Sequence, residues 1–251
     1  MSSLKSKFNY EQTYIKFKDF EKKLNPFDAI LFDSINIRKC INLFQNENSN
    51  DFKKWIHVGI VVPNNFMRLS YENNDETYII ESKYAIYNRI INIDSNKLPR
   101  GLQIRRLKDV ANTHIKRGGT VVALKLLNNP FYFTVNEQRQ LNYTEKQIYI
   151  NSRLSEKYKL NQFWNTYKNK KYVIFNCSKT VKKKFPFIKK NKQKKYFCSE
   201  AIIKLYQHFD IVDKNIKSEM VSPGKIVKYC LNNKNEIIFD RSNVIVLITD
   251  V

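Results

Sequence analysis

One of the four cysteines stands where a thiol could act as a nucleophile. Cys198 follows an aromatic pair and opens a segment in which apolar residues recur at helical spacing. A cysteine at a helix N-terminus lies at the positive end of the helix dipole, among N–H groups without an intrahelical partner. This position lowers a thiol pKa and supplies donors for an oxyanion. The sequence predicts Cys198 as a nucleophile with Tyr196 and Ser199 as substrate contacts; a buried structural cysteine is the alternative.

His57 is the candidate base for this thiol. It lies within 55–62, an apolar segment of strand length, and a second strand is predicted over 76–82. In an antiparallel hairpin, one register places Glu81 directly opposite His57 on the same face. A carboxylate there would fix the imidazole tautomer and stabilise the imidazolium. Gly59, two positions along on that face, would leave room for a substrate; a satisfied core histidine is the alternative for His57.

The length and the apolar fraction set the domain organisation. A chain of 251 residues with 42% hydrophobic residues can bury one sizeable core. We expect a polar, partly helical lead-in over 1–24 and a single catalytic domain over 25–251. A basic run with interleaved aromatic residues near 177–195 is predicted to be an exposed insertion just before Cys198.

Cysteine spacing and the absence of targeting signals indicate the compartment. No apolar run approaches the roughly 18 residues that a membrane span requires, and residues 1–23 lack the apolar core of a secretory signal. The cysteines are widely spaced without a C-x-x-C pair, which favours reduced thiols and argues against a zinc ribbon. We therefore expect a cytoplasmic protein, in a host cytoplasm or a virion if it is viral, that uses neither a metal nor another cofactor.

Net charge is the strongest compositional feature. An excess of 45 basic over 23 acidic residues gives +22, and such a surface attracts anionic lipid, acidic protein or nucleic acid. Part of the excess lysine fits the codon usage of an AT-rich genome, since Asn, Ile, Tyr and Phe are also abundant. No recognised nucleic-acid motif is present, so specific nucleic-acid binding is not expected. A basic binding module without catalytic activity is the alternative function.

Other elements must position these residues. A short buried strand is predicted at 27–32, and further strands at 101–107 and 120–127. A short helix is predicted at 109–116, and a second short helix follows the turn at Ser222-Pro223.

Five short motifs occur along the chain in a recognisable order. They are Asp28-Ala29-Ile30-Leu31-Phe32, His57-Val58-Gly59-Ile60-Val61, Ile80-Glu81-Ser82, Cys198-Ser199-Glu200 and Ser222-Pro223. They are similar to the "G-D-I-L-L-F", "H-V-G-I-V", "x-E-S", "C-S-E" and "T/S-P" motifs of the circularly permuted branch of the NlpC-type papain-like hydrolases. That branch includes the bacterial YiiX-like proteins and a poxvirus group. Phe27 replaces the usual glycine, and Lys170-Lys171-Tyr172 lacks the glycine and aspartate of the "G-K-x-Y-D" segment.

This resemblance implies an α+β, circularly permuted papain-like fold, with an antiparallel sheet packed against the helix that carries the nucleophile. Cys198 would be the nucleophile, His57 the general base and then acid, and Glu81 the orienting group. The Cys198 backbone N–H would contribute to the oxyanion hole. The family contains amidases, peptidases, acyltransferases and thioesterases, so the expected substrate is an amide, thioester or ester. A lipid-like acyl substrate at an anionic membrane surface would fit both the chemistry and the charge.

Overall fold

The computed structural model describes residues 12–33, 55–62, 76–84, 100–127, 143–168, 198–229 and 238–247. These residues form an α+β structure around one seven-stranded sheet. The strands are β1 Gln12–Ile15, β2 Ala29–Asp33, β3 Trp55–Val62, β4 Tyr78–Tyr84, β5 Arg100–Arg106, β6 Val121–Leu126 and β7 Phe239–Leu247. The α-helices are α1 Phe17–Lys22, α2 Leu107–Ile115, α3 Tyr143–Tyr167, α4 Cys198–His208 and α5 Pro223–Tyr229.

The strands lie side by side in the order β1-β7-β6-β2-β3-β4-β5. The neighbouring pairs are antiparallel except β1 and β7, which run parallel at one edge. The prediction of an α+β fold with an antiparallel sheet is therefore confirmed, apart from that edge pair. Within the predicted lead-in, β1 and α1 are part of the same structure: β1 extends the sheet, and Phe17 and Phe20 of α1 are buried.

Each face of the sheet carries its own apolar cluster, because successive side chains of a strand point to opposite faces. Val58 and Ile60 pack with α4, whose buried residues include Ile202 and Leu205. On the other face, Val61 belongs to a cluster covered by α1 and α2. The helix that begins at Cys198 therefore packs on β3 and β4. Its predicted position against the sheet is confirmed.

The pairing of β2 with β3 is irregular next to His57. Phe32 pairs with His57, and Asp33 pairs with Trp55, so Ile56 is an extra residue on β3. A bulge of this kind bends the strand and changes the direction of neighbouring side chains, and bulges are frequent beside active sites. The irregularity therefore lies at the start of the strand that carries the candidate base.

Phe27 stands where the similar sequence motif has glycine, and its backbone adopts a conformation that favours glycine. Its φ of +67° lies in the left-handed region, which costs a residue with a Cβ roughly 1–2 kcal/mol. The ring is fully buried and packs edge-on against Phe209, with centroids 4.8 Å apart. The Tyr206 hydroxyl also donates a 2.7 Å hydrogen bond to the Phe27 carbonyl oxygen. Aromatic packing against α4 and its C-terminal end offsets the backbone strain.

Candidate active site

The Cys198 thiol lies at the first residue of α4, against the backbone of β3. The residue is only 3% exposed, and its Sγ donates to the carbonyl oxygen of Ile56 at 3.9 Å. The backbone N–H of Val58 also interacts with the sulfur. The thiol therefore contacts the two residues that flank His57. The pairing of β3 with β4 runs from Gly59 to Val62, so this contact lies just beyond the paired segment.

Burial raises the pKa of the Cys198 thiol from 9.0 to about 11. The N–H groups of Val58, Ser199 and Cys198 itself act in the opposite direction, while the negative charge of Glu81 adds to the increase. The predicted lowering of the thiol pKa is therefore wrong for this closed site. Helix N-terminal N–H groups do stabilise the thiolate, as the sequence suggested, but the loss of solvation outweighs them.

His57 and Glu81 form a buried hydrogen-bonded pair. Nε2 of His57 bonds to Oε2 of Glu81, and the two residues are 7% and 0% exposed. Glu81 pairs in register with Gly59 and not with His57, so the predicted register is wrong by two residues. A shift of two residues keeps a side chain on the same face, and a diagonal neighbour remains within reach of long side chains. The predicted contact between base and carboxylate is therefore present.

The imidazole and the thiol reach β3 from different directions. The His57 ring contacts the Phe32 ring with centroids 5.5 Å apart, and Phe32 belongs to the α1 and α2 face. Cys198 belongs to the α4 face together with Val58. The thiol thus contacts the backbone of β3 on either side of His57, while the imidazole packs with the cluster on the other face of the sheet.

Sequence reasoning missed Arg105 in β5, which is completely buried beside Glu81. Its Nε lies 3.0 Å from Oε1 of Glu81. Gln103, which pairs in register with Glu81, accepts hydrogen bonds from Arg105 Nε and Nη2 at 2.8 and 2.6 Å. The alternation of polar and apolar residues in β5 was visible in the sequence, but a polar face usually contacts solvent. Here this face is in the interior, since Gln103 and Arg105 and their register partners Glu81 and Ile79 are all fully buried.

Gly59 does not provide the predicted room for a substrate. A Cβ at this position would meet Ile79 Cδ1 at 3.2 Å, the Ile80 carbonyl oxygen at 3.4 Å and Glu81 Cβ at 3.6 Å. The prediction of open space is therefore wrong, because β4 fills it. The glycine instead allows β4 to bring Glu81 close to β3.

The remaining predicted site residues lie at the start of α4. Ser199 is buried, and its N–H points to the Cys198 sulfur, where an oxyanion donor would be needed. Glu200 is also buried. The pKa of Tyr167 on α3 is raised, first by the burial of Tyr167 itself and then by the negative charge of Glu200. Tyr196 and the basic insertion near 177–195 lie outside the described residues.

A second histidine–carboxylate pair lies on the other side of Phe32. His114 Nε2 is 3.3 Å from Oδ1 of Asp33, which also accepts the backbone N–H of Thr120 at 2.7 Å. The Phe32 ring contacts the His114 ring edge-on at 5.3 Å. A Cβ at Gly119 would come within 2.3 Å of His114 Nε2, so the glycine is needed for this ring position.

No protein-family model matches this chain, and no curated protein matches its sequence. The resemblance to permuted papain-like hydrolases therefore rests on the sequence motifs alone. In the described ranges, no group of three or more His, Cys, Asp or Glu side chains could hold a metal ion. None of the helices seen there is long and apolar enough to cross a membrane.

Proposed function

We propose that the chain is a cysteine-dependent hydrolase or acyltransferase with a circularly permuted papain-like arrangement. The observation that carries the proposal is the buried His57–Glu81 pair next to a thiol at a helix N-terminus. Both residues also belong to the motifs that resemble those of the permuted papain-like hydrolases. Cys198 is the proposed nucleophile, His57 the base and Glu81 the group that orients it.

In the proposed reaction the thiol attacks the carbonyl carbon of an amide, thioester or ester. Because the pKa of the buried thiol is about 11, the proton is removed by a base during attack and is not lost beforehand. Because Nε2–H of His57 donates to Glu81, Nδ1 is the nitrogen that accepts the thiol proton of Cys198. This transfer requires the imidazole to reach the sulfur past the backbone of β3.

The remaining steps follow from the same groups. The carbonyl oxygen becomes an oxyanion near the N–H groups of Cys198 and Ser199. The imidazolium then donates its proton to the leaving amine, thiol or alcohol, and an acyl-thioester forms on Cys198. Water gives hydrolysis of that thioester, and another nucleophile gives acyl transfer; in both cases His57 takes the proton of the acceptor.

Acylation by p-nitrophenyl acetate tests the proposal without knowledge of the natural substrate. We expect p-nitrophenol to be released and one acetyl group to be attached to the protein. Peptide mass spectrometry should locate that group on Cys198. Cys198→Ala should abolish this adduct, and His57→Ala should slow its formation by about 100-fold or more. Labelling that is no faster at Cys198 than at Cys40, or that is unchanged in His57→Ala, would contradict the proposal.

We also propose that the substrate is presented at an anionic surface, because the chain carries a net charge of +22. Flotation with phosphatidylglycerol vesicles at low salt should recover the protein, and phosphatidylcholine vesicles should not. Loss of binding as salt increases would identify an electrostatic contribution. Binding to these vesicles without any acylation of Cys198 would favour the alternative of a basic binding module, and failure to bind them would remove the membrane surface from the proposal.

A further inference from the structure

Arg105 carries a positive charge in the protein interior, where a charge requires a compensating partner. Its side chain is completely buried, as is that of Glu81, and the two charges meet at 3.0 Å. An isolated cation in a protein interior is very costly, so a buried arginine is retained only with a compensating partner. Both carboxylate oxygens of Glu81 meet a group that can carry positive charge: Oε1 lies beside Arg105 and Oε2 bonds to His57.

The charges of these three groups decide how many protons they hold. Burial disfavours the charged form of a carboxyl group, and a carboxylate in contact with an imidazole favours the imidazolium. A buried glutamate and histidine alone would therefore share one bound proton as a coupled pair. Such a pair has no base ready to accept the proton of a thiol. A guanidinium, which stays protonated at all accessible pH values, changes that balance because it neutralises the carboxylate permanently.

We propose that Arg105 is a positioning residue that holds Glu81 as a carboxylate and leaves His57 unprotonated, ready to accept the Cys198 proton. Gln103 fixes the guanidinium, because its Oε1 accepts from both Nε and Nη2. The three strands β3, β4 and β5 thus contribute one residue each to a line from His57 through Glu81 to Arg105. This inference rests on the proposed function for the fate of the proton, but the protonation of His57 can be measured without any reaction.

Other ionisable groups near His57 must be separated from the effect of Arg105. Cys198 and Glu200 lie at the start of α4, and Asp33 pairs with His114 on the far side of Phe32. Arg106, the next residue of β5, provides a matched control. It pairs with Glu76 at 2.9 Å in a partly exposed position, so its replacement removes the same charge from the same strand without touching Glu81.

The test compares Arg105→Gln and Arg106→Gln in the full chain by NMR titration of the imidazole signals, with His57→Ala assigning the His57 signal. We expect the midpoint of His57 to rise by about one pH unit or more in Arg105→Gln, from the typical effect of one close charge. The acid limb of Cys198 acetylation by p-nitrophenyl acetate should move upward by the same amount. Arg105→Lys, which keeps the charge, should restore most of the wild-type midpoint.

A second variant keeps the test decisive if Arg105→Gln does not fold. Gln103→Glu retains the guanidinium but gives it a second carboxylate, and it should also raise the His57 midpoint. An unchanged midpoint in the folded variants, or an equal shift in Arg106→Gln, would overturn the assignment. If the midpoint rises but wild-type Cys198 is never acetylated, the proposed acyl chemistry fails, while control of His57 protonation by Arg105 stands.

Discussion

The two histidine–carboxylate pairs on either side of Phe32 use the same groups for different purposes. His57 and Glu81 join neighbouring strands, and the carboxylate is backed by the buried Arg105. His114 lies in the last turn of α2, with a side chain 14% exposed, and bonds to Asp33 at the end of β2. Both rings contact Phe32 at similar distances, 5.5 and 5.3 Å.

The partners of the two carboxylates account for the difference. Asp33 accepts a backbone N–H from Thr120 and so ties the start of β6 and the end of α2 to β2. The partners of Glu81 include two side chains that can carry positive charge, His57 and Arg105. In the proposed function, the Glu81 carboxylate orients the base, whereas the Asp33 carboxylate accepts the backbone N–H of Thr120, just before β6.

Replacing the carboxylates by amides should show the largest contrast. Glu81→Gln leaves Arg105 as an uncompensated buried charge and should reduce the free energy of unfolding by about 3–5 kcal/mol. It should also slow acylation of Cys198 by roughly 100-fold or more, since the amide no longer stabilises the imidazolium. Asp33→Asn should cost about 1–3 kcal/mol with acylation nearly unchanged. Urea denaturation and the p-nitrophenyl acetate assay measure both quantities, and equal loss of acylation in the two variants would remove the distinction.

The Cys198 thiol lies beside the His57 pair, and its burial should make the free energy of unfolding depend on pH. Because the pKa of Cys198 is raised in the folded state, its contribution is fully present below about pH 9 and is lost as pH rises to about pH 11. The difference corresponds to about 2–3 kcal/mol. Denaturation at several pH values should show this loss in the wild type but not in Cys198→Ala. The same slope in both proteins would mean that the thiol is not buried as described.

The two glycines beside these pairs offer a matched comparison. Gly59→Ala places a methyl group against Ile79 and the backbone of β4, so it should displace Glu81 from His57. Gly119→Ala collides with the His114 ring instead. Each substitution should cost about 1–3 kcal/mol, but only Gly59→Ala should slow acylation of Cys198. If Gly119→Ala slows it as much, the His114 pair is part of the reactive site.

Phe32 tests whether the ring between the two pairs influences the His57 pair. Phe32→Leu removes the ring between the two imidazoles, a large-to-small change in the core that should cost roughly 1–3 kcal/mol. We expect the His57 signal to keep its NMR titration midpoint and acylation of Cys198 to change by less than about threefold, because the Glu81 carboxylate does not depend on Phe32. A shift of the His57 midpoint in Phe32→Leu would show that the ring influences the His57 pair.

Local sequence patterns predicted the elements of the site, and long-range pairing decided its details. The alternating pattern around His57 and Glu81 correctly predicted that both residues lie on strands and share a face of the sheet. The error of two residues in the register does not change the face, because the side-chain period of a strand is two. The register itself depends on residues 63–75, whose sequence does not fix the length of the strands they connect. The predicted role of Gly59 was wrong for the same reason: the register decides its neighbour, and Ile79 of β4 fills the space beside it.

Arg105 and the thiol pKa could not be predicted because both are consequences of burial. An arginine in an alternating strand predicts a solvated face, whereas the Arg105 side chain is completely buried. The position of Cys198 at a helix start was predicted and is confirmed, but its exposed fraction of 3% reverses the expected direction of the pKa. The parallel pairing of β1 with β7 joins segments more than 200 residues apart, which no local pattern indicates.

The pH dependence of Cys198 alkylation by iodoacetamide tests the central claim most directly, with each cysteine followed by mass spectrometry. The wild type should react at neutral pH about 100-fold faster than His57→Ala, while His114→Ala should match the wild type. In His57→Ala the rate should rise only as pH approaches the thiol pKa of about 11. A wild-type rate that itself rises only near that pH, with no change in His57→Ala, would contradict the account and leave Cys198 as a buried structural thiol.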